Sequence, residues 1–403
     1  MSLTPVPVAL KALIDSVPAP TPAETLPLAH CVGRVLAADL QALRTHPPFA
    51  NSAMDGYAVR AEDTAPANEL RVIGESAAGR SFSGMVRSNE AVRIFTGAPI
   101  PEGADTILIQ ENADGVGGTT IRVREGAERG KFVRQAGLDF SEGEVLLLAG
   151  SRLESASLGL AAAMGHPTLT VRRRPLVAIL ATGDELVQPG EPVGPDQIVA
   201  SNSFALAALV EQAGGTALDL GIARDDHADL ADKIGQARKA DADVLITLGG
   251  ASVGEHDLVQ AALIGQGMAL GFWKIAMRPG KPMMMGRLGR MVALGLPGNP
   301  VSSIVCGHLF VVPLLRALLG VPEPERDLSE PAIVGRDLPA NDERQDYMRS
   351  ELILTPEGWL ATPFAKQDSS MLATLARADA LLIRESFAAP ANKGDGCRII
   401  RLR

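Results

Sequence analysis

The chain has 403 residues and a formal net charge of −9; 46% of its residues are hydrophobic, 21% charged and 3% aromatic. This composition excludes an intrinsically disordered protein. The acidic balance argues against a nonspecific nucleic-acid binder, which needs an excess of Lys and Arg, but leaves room for an anionic small molecule in a local cationic pocket. The length predicts roughly two to four folding units.

The cysteines and apolar runs indicate the compartment. Cys31, Cys306 and Cys397 are far apart and no C-x-x-C pair occurs, so neither a disulfide framework nor a zinc site is expected. The N-terminal stretch is interrupted by prolines and lacks the basic region followed by an apolar region that is typical of a signal peptide. The longest apolar stretch, residues 304–319, is interrupted by polar residues and Pro313. We therefore predict a cytoplasmic protein without a membrane span.

The first part of the chain is predicted to form a discontinuous helical segment, residues 1–44 and 138–170. Small and aliphatic residues at three-to-four spacing predict helices over residues 6–17 and 22–43, and an Ala-rich stretch predicts one over residues 151–164. A β-rich module is predicted to be inserted between the two parts.

This β module, residues 45–137, contains short β-type runs separated by Gly, Asn and Asp turns, at residues 91–95, 106–110 and 119–123. It also carries two strings that no periodicity explains, residues 47–58 around Asp55 and residues 95–105. Loops built from specific polar groups are functional candidates, although a pair of well-ordered turns explains them equally well.

Residues 171–322 alternate strands and helices. The predicted strands are 176–181, 217–223, 244–248, 283–285 and 291–294, and the predicted helices are 202–213, 230–239 and 301–319. Such alternation predicts a doubly wound, mostly parallel sheet. After a linker rich in Pro and Glu, residues 326–403 alternate strands and turns, which predicts a small β barrel or sandwich.

Three Gly-rich loops follow predicted strands of this α/β domain, at residues 182–185, 249–254 and 296–300. Ligands of open α/β sheets bind beyond the carboxyl ends of the strands, where backbone N–H groups point outward. We therefore expect the three loops to open on one crevice and to bind an anion. The candidate groups are Gly249, Gly250, Ser252, Pro297, Gly298 and Asn299, with Arg278 and Lys281 as a cationic pair. Turns between strands and helices favour Gly in any case, so one loop alone would carry little weight.

Two nucleotide-binding motifs are excluded. Gly280-Lys281 is followed by Pro282 instead of Ser or Thr, so the chain has no P-loop. No G-x-G-x-x-G follows a strand and opens a helix, which counts against a dinucleotide fingerprint.

Carboxylates cluster near the same strand ends. Mg²⁺ usually takes one or two carboxylates together with phosphate oxygens and waters, so these acids are candidate ligands. We select Asp184, Glu185, Asp226 and Asp257. For each of them taken alone, a solvated surface acid or a helix cap is the more ordinary role.

Taken together, these strings resemble the molybdopterin molybdenumtransferase family, which comprises MoeA-like proteins and the matching E domain of gephyrin. Six motifs occur in the family's order between residues 47 and 300. They are Asn-Ser-Ala-Met-Asp-Gly-Tyr-Ala, Phe-Thr-Gly-Ala-Pro, Thr-Gly-Asp-Glu-Leu, Gly-Gly-Ala-Ser-Val-Gly-Glu, Arg-Pro-Gly-Lys-Pro and Leu-Pro-Gly-Asn-Pro. The C-terminal part matches more loosely, through residues 344–349 and 367–369.

The resemblance implies an elongated homodimer of subunits with a MogA-like molybdopterin-binding domain and a C-terminal β barrel. It implies that molybdate is inserted into adenylylated molybdopterin, with Mg²⁺-dependent hydrolysis of the anhydride and release of AMP. Contact with the adenylyltransferase and with recipient molybdoenzymes is implied as well, whereas nucleic acid and membranes are not expected partners.

The family's pattern also implies roles for individual residues. It makes Asp55, Thr96, Glu185 and Asp257 catalytic, with Asp55 and Thr96 acting on the crevice of the partner subunit. The pattern also assigns functional roles to Asp139, Asp226, Arg349 and Ser369.

Some positions depart from the pattern. Leu248 stands where a hydroxyl residue is common, Leu138 replaces the acid that usually precedes Asp139, and Arg278 stands where some relatives have Lys. Two other functions stay open as alternatives: a non-catalytic scaffold like gephyrin, and a molybdopterin adenylyltransferase. The absence of an appended domain disfavours the first, and the extra β modules disfavour the second.

Overall fold

The computed structural model of the chain describes residues 3–249 and 258–402. It shows the predicted mixed architecture: a doubly wound α/β sheet, a β-rich sheet nearer the N-terminus and a C-terminal barrel. Gly250, Ser252 and Asp257, three of the predicted site residues, lie outside the described residues.

The helix predicted over residues 6–17 is present as Val6–Asp15. Its buried residues Val6, Ala9 and Leu13 join the apolar cluster on one face of the α/β sheet. The N-terminal helix is therefore part of the α/β core.

The helix predicted over residues 22–43 is wrong. This segment begins with the strand Ala23–Pro27, followed by the 3₁₀ turn Leu28–His30. Pro27 has no N–H group to donate within a helix, and the strand instead pairs antiparallel with Thr168–Arg172. The spacing of apolar residues could not reveal a partner so far along the chain.

The two segments on either side of the β module share one apolar core. It includes Leu36 and Leu40 from the first segment and Phe140, Leu153 and Leu169 from the second. The predicted helix 151–164 is present there as Ser155–Ala163.

The β module contains a six-stranded sheet. Its strands are, in spatial order, Thr106–Ile109, Gly56–Val59, Glu90–Ile94, Glu69–Ser76, Thr120–Val123 and Ala113–Asp114. Two short 3₁₀ turns, Ala61–Asp63 and Gln110–Asn112, lie beside them.

The chain enters and leaves this module along paired short strands. Leu40–Gln41 pairs with Val145–Leu147, and Asn51–Ser52 pairs with Val133–Arg134. Both pairings are antiparallel, so the entering and leaving segments run side by side.

The α/β domain is built on a second six-stranded sheet. Its strands are, in spatial order, Thr216–Ala223, Leu176–Thr182, Val244–Leu248, Met291–Leu296, Met284–Leu288 and Ala269–Trp273. The first four are parallel, and Met284–Leu288 runs antiparallel to both of its neighbours, Met291–Leu296 and Ala269–Trp273. The last strand and the helix Leu258–Gly265 were not predicted from the sequence.

Helices cover both faces of this sheet. Asn202–Gln212 packs on the same face as the N-terminal helix, whereas His227–Lys239 and Leu258–Gly265 pack on the other. Consecutive residues of one strand point to opposite faces of the sheet, so Val177 belongs to one apolar cluster and Ala178 to the other. Burial on both faces explains why the strands are continuous apolar runs.

The predicted helix 301–319 is present as Pro300–Leu318, with a π-helical turn at Gly307–Val311. By length and composition alone this helix could cross a membrane, but 61% of its apolar window is buried inside the fold. Its apolar composition follows from its position in the core of the α/β domain.

The C-terminal region forms a closed five-stranded barrel. The ring order is Gln345–Thr355, Gly358–Pro363, Glu330–Val334, Gly396–Arg401 and Ala380–Arg384, which pairs again with the first strand. The helix Leu372–Arg377 precedes the last strand of this ring. Tyr347, Leu375 and Leu381 pack into the α/β core, so the barrel is attached to the α/β domain by apolar contacts.

Candidate functional site

The three Gly-rich loops meet at a crevice of about 730 Å³ at the carboxyl ends of the parallel strands. Gly183, Gly249 and Gly298 all line it, as the topology predicted. A Cβ added to Gly249 would lie 2.7 Å from the carbonyl oxygen of Thr182, so only glycine allows this approach of neighbouring loops. The crevice therefore presents a backbone-lined floor of the kind that binds phosphate groups.

Carboxylates gather at one side of this crevice. Glu185 and Asp225 line it, and the N–H of Asp225 donates to Asp184 Oδ1 at 3.2 Å. Partial burial, together with the charges of Asp184 and Glu185, raises the pKa of Asp225. A divalent ion that keeps phosphate oxygens and waters as further ligands needs only one or two carboxylates, and Glu185 and Asp225, which both line the crevice, could supply them.

Asp226 has a different role from its neighbour. Its carboxylate accepts from the backbone N–H groups of Ala228 and Asp229 at 2.9 and 3.0 Å, which makes it the N-cap of the helix His227–Lys239. Asp226, and not Asp225, was predicted from the sequence as a metal ligand. Across the described residues, no three His, Cys, Asp or Glu side chains are grouped as ligands of one metal ion.

The loop at residues 296–300 is held by two side-chain contacts. Asn299 Nδ2 donates to Ser369 Oγ at 2.9 Å, and Asn202 Nδ2 donates to the carbonyl oxygen of Gly298 at 2.6 Å. Pro297, Asn299 and Pro300 line the crevice, so the N-terminus of the helix Pro300–Leu318 lies at its wall. Asn202 was not predicted from the sequence, because its partner Gly298 lies 96 residues further along the chain.

Ser369 and Arg349 come from the barrel side of the crevice. The carbonyl oxygen of Ser369 accepts from Val301 N–H at 3.0 Å. Arg349 is 1% exposed, and its Nε and Nη1 donate to Gln367 Oε1 and to the carbonyl oxygen of Asp368. Burial lowers the pKa of Arg349. Both predicted residues thus support the segment 367–370, whose Ser370 lines the crevice.

Lys281 and Arg278 are placed differently. Lys281 is exposed and is followed by Pro282, which lines the crevice. The guanidinium of Arg278 pairs with Asp346 and Asp342 of the barrel. The two cations of the predicted pair therefore have different surroundings.

Asp55 and Thr96 lie together in the β module. Asp55 Oδ1 accepts from the backbone N–H of Thr96 at 2.7 Å and from its hydroxyl at 2.8 Å. These two donors lower the pKa of Asp55. Neither residue lines the crevice of its own chain among the residues that the structure describes.

A second hollow of about 330 Å³ lies beside this pair. It is lined by Gly97, next to Thr96, and by His46, Arg134 and Asp139 among others. The predicted residue Asp139 thus lines a hollow together with Gly97, the residue after Thr96.

The fold and the crevice define a multidomain protein whose α/β domain has Gly-rich loops and carboxylates at its strand ends, with a segment next to the barrel completing one wall of the crevice. Three family profiles match in succession: "MoeA N-terminal region (domain I and II)" at residues 4–165, "Probable molybdopterin binding domain" at 178–317 and "MoeA C-terminal region (domain IV)" at 331–402.

Individual relatives agree with the profiles. A protein of Haemophilus influenzae named molybdopterin molybdenumtransferase is 38% identical over 86% of this chain and 85% of its own length. Molybdopterin molybdenumtransferase 2 of Mycobacterium tuberculosis is 38% identical over 89% and 90%. The solved structure of a molybdopterin biosynthesis MoeA protein from Pyrococcus horikoshii is 29% identical, covers 99% of both chains and has a TM-score of 0.84. The chain belongs to the molybdopterin molybdenumtransferase (MoeA) family.

Proposed function

We propose that the protein inserts molybdate into adenylylated molybdopterin and releases AMP, as a cytoplasmic homodimer whose site combines residues of both subunits. The observation that carries this proposal is the crevice itself, which Gly-rich strand-end loops and carboxylates line in a member of this family, with the exposed Lys281 next to the lining residue Pro282. The names of the relatives support molybdopterin as the substrate class.

The chain's own groups suit an anhydride. The glycines Gly183, Gly249 and Gly298 carry no side chain that would keep phosphates away from these loops, and the exposed Lys281 can offset the negative charge of the phosphates. Mg²⁺, held by one or both of Glu185 and Asp225, would neutralise charge on the phosphate oxygens. Asp226 and Asp257 stay sequence-based predictions as metal ligands.

Molybdate, the second substrate, is a dianion that needs cations and hydroxyl or amide donors. Ser369 and Asn299 supply such donors at the wall between the barrel and the α/β domain. Arg349 orders the adjoining segment through Gln367 and Asp368. We assign these residues to the binding of the oxyanion or of the pterin.

The Asp55–Thr96 pair is assigned to the crevice of the partner subunit. The support is that the pair is ordered and charged yet does not line the crevice of its own chain in the described parts of the fold. The side chain of Asp55 would then hold or move a proton, or contact substrate, across the subunit boundary.

The test is direct. Purified protein, Mg²⁺, molybdate and adenylylated molybdopterin are combined, and AMP is measured by chromatography while active cofactor is measured by reconstitution of a cofactor-free molybdoenzyme. We expect AMP and active cofactor in equal amounts. Absence of both, from folded dimeric protein, would contradict the proposed reaction.

A further inference from the structure

Arg278 is bound to the barrel through all three nitrogens of its guanidinium. Its Nε and Nη2 donate to the two carboxylate oxygens of Asp346 at 2.7 and 2.6 Å. Nη1 donates to Asp342 at 3.1 Å, and Nη2 also donates to Asn341 Oδ1 at 3.1 Å. Such a planar, two-pronged pairing fixes direction as well as distance.

The acceptors are themselves held in position. Asp346 has a side chain that is only 13% exposed, and its backbone pairs with that of Arg278 in a parallel ladder. Asn341 Nδ2 donates to the carbonyl oxygens of Arg344, Arg384 and Glu385. The acceptors of the Arg278 guanidinium are therefore held in place by the C-terminal barrel region.

Asp342 is fixed in the same way. It accepts from the side chain and the backbone N–H of Arg344. These bonds, reinforced by the charge of Arg278, lower the pKa of Asp342 to about 2. Two carboxylates thus face one guanidinium and offset its charge, which weakens the attraction of Arg278 for an anionic substrate.

The loop that starts at Arg278, residues 278–282, reaches the crevice at its last residue, Pro282. Its rear side is tightly packed: a Cβ on Gly280, whose φ is +116°, would lie 2.6 Å from Cys306 Sγ. The carbonyl oxygen of Lys281 accepts from Ile275 N–H at 2.9 Å. The loop is thus held by a core helix behind it and by the barrel at its start, while Lys281 is exposed and Pro282 lines the crevice.

We propose that Arg278 is a positioning residue: it fastens the loop 278–282 to the barrel and thereby sets where Lys281 and Pro282 meet the substrate, without contacting the substrate itself. This replaces the direct contact expected from the sequence. The inference rests on the proposed function, because that function gives Lys281 its ligand.

The decisive variant is Asp346→Asn, because the two roles predict opposite signs. If Arg278 touched the anionic substrate, neutralising a nearby carboxylate would strengthen binding and lower KM. If Arg278 positions the loop, losing one charged partner loosens the loop and raises KM for adenylylated molybdopterin by roughly fivefold to tenfold, with a smaller change in kcat. Glu351→Gln, an exposed carboxylate on the same strand, is the matched control for charge and should leave KM unchanged.

A second readout does not depend on activity. Hydrogen exchange of the backbone amides of residues 275–283 should accelerate in Asp346→Asn and in Arg278→Ala, but not in Glu351→Gln. In the double variant Arg278→Ala/Asp346→Ala, the amides of residues 275–283 should exchange no faster than in either single variant, because both substitutions remove the same contact. Should Asp346→Asn fail to fold, Asp342→Asn tests the same contact at a more exposed position.

The outcomes separate the two levels of the proposal. Unchanged exchange, or a fall in KM in Asp346→Asn, overturns the positioning role of Arg278 whatever the reaction is. Faster exchange in a protein that never releases AMP supports the fastening and contradicts the proposed function instead.

Discussion

The crevice of the α/β domain and the Asp55–Thr96 pair of the β module hold their polar groups in different ways. The crevice is concave and is built mainly from the backbone of strand-end loops, which the parallel sheet places together. The pair consists of two side chains 41 residues apart on turns of the module, and they order each other by hydrogen bonds. A concave site built from backbone can bind an anion by itself. A charged pair on an open surface needs another part of the protein, such as a partner subunit, to hold the substrate next to it.

The largest effect is expected from removing the pair. Asp55→Ala should lower the rate of molybdenum insertion by about a hundredfold or more, because a positioned ionised group is lost from the site. Folding and dimer mass should stay unchanged. Since the pKa of Asp55 is lowered, the carboxylate stays charged as pH falls until the pH reaches that lowered pKa, so the loss should be the same at every pH from mildly acidic to neutral.

The measurement is AMP release at saturating substrate. Asp114→Ala, an exposed carboxylate of the same module that pairs with Arg124 at 3.6 Å, is the control and should retain the parental rate. An Asp55→Ala protein with full activity would remove the β module from the reaction.

The next effect tests whether crevice and pair belong to different subunits. Asp55→Ala and Glu185→Ala proteins should each be inactive, but a mixture allowed to exchange subunits should regain roughly a quarter of the parental activity. Half of the random dimers then contain both variants, and each of these has one intact shared site. A mixture that exchanges subunits, shown by mass spectrometry of differently tagged chains, and still has no activity would place both residues in the same site of one subunit.

A moderate effect is expected at the crevice cation. Lys281→Ala should weaken binding of adenylylated molybdopterin by about tenfold at low salt, and the difference from the parental protein should shrink as salt rises, because an exposed charge is screened. Titration calorimetry at two salt concentrations measures this. Lys393→Ala, an exposed Lys on the barrel, should behave like the parental protein; an equal loss there would show that only net charge matters.

The smallest effect concerns the acidic side of the crevice. The pKa of Asp225 is raised, so its ionisation makes the folded state less stable as pH rises through that pKa. Asp225→Asn should therefore slightly increase the melting temperature of metal-free protein at pH 7 to 8, by less than about 2 °C.

With Mg²⁺ added, the parental protein should have the higher melting temperature of the two, because it binds the cation more tightly than Asp225→Asn does. Asp226→Asn removes the neighbouring charge and serves as the comparison; because Asn caps a helix about as well as Asp, its melting temperature without Mg²⁺ should stay close to that of the parental protein. Equal responses of both variants to Mg²⁺ would exclude Asp225 as a ligand.

The α/β domain was predictable because its strands are buried on both faces and therefore stand out as short apolar runs. The crevice followed from topology, since parallel strands end at one edge. The N-terminal region was not predictable in the same way, because the strand Ala23–Pro27 depends on a partner about 145 residues further on.

Individual roles at the site were less visible for a related reason. Nothing local distinguishes Asp225 from Asp226, of which only the second caps a helix. The pairing of Arg278 with Asp346 joins residues 68 positions apart, and a loop rich in cations gives no hint of such a partner. For Asp55 and Thr96, the motifs identified the residues, but only the fold shows that they contact each other.

The side-by-side entry and exit of the β module have a consequence for how such a chain could arise. Because Leu40–Gln41 pairs with Val145–Leu147 and Asn51–Ser52 with Val133–Arg134, the ends of the intervening segment lie next to each other. A segment with adjoining ends can be gained by a single insertion without disturbing either hydrophobic core. The Asp55–Thr96 pair lies on this segment, so one insertion is enough to add the pair to a fold that already holds the crevice.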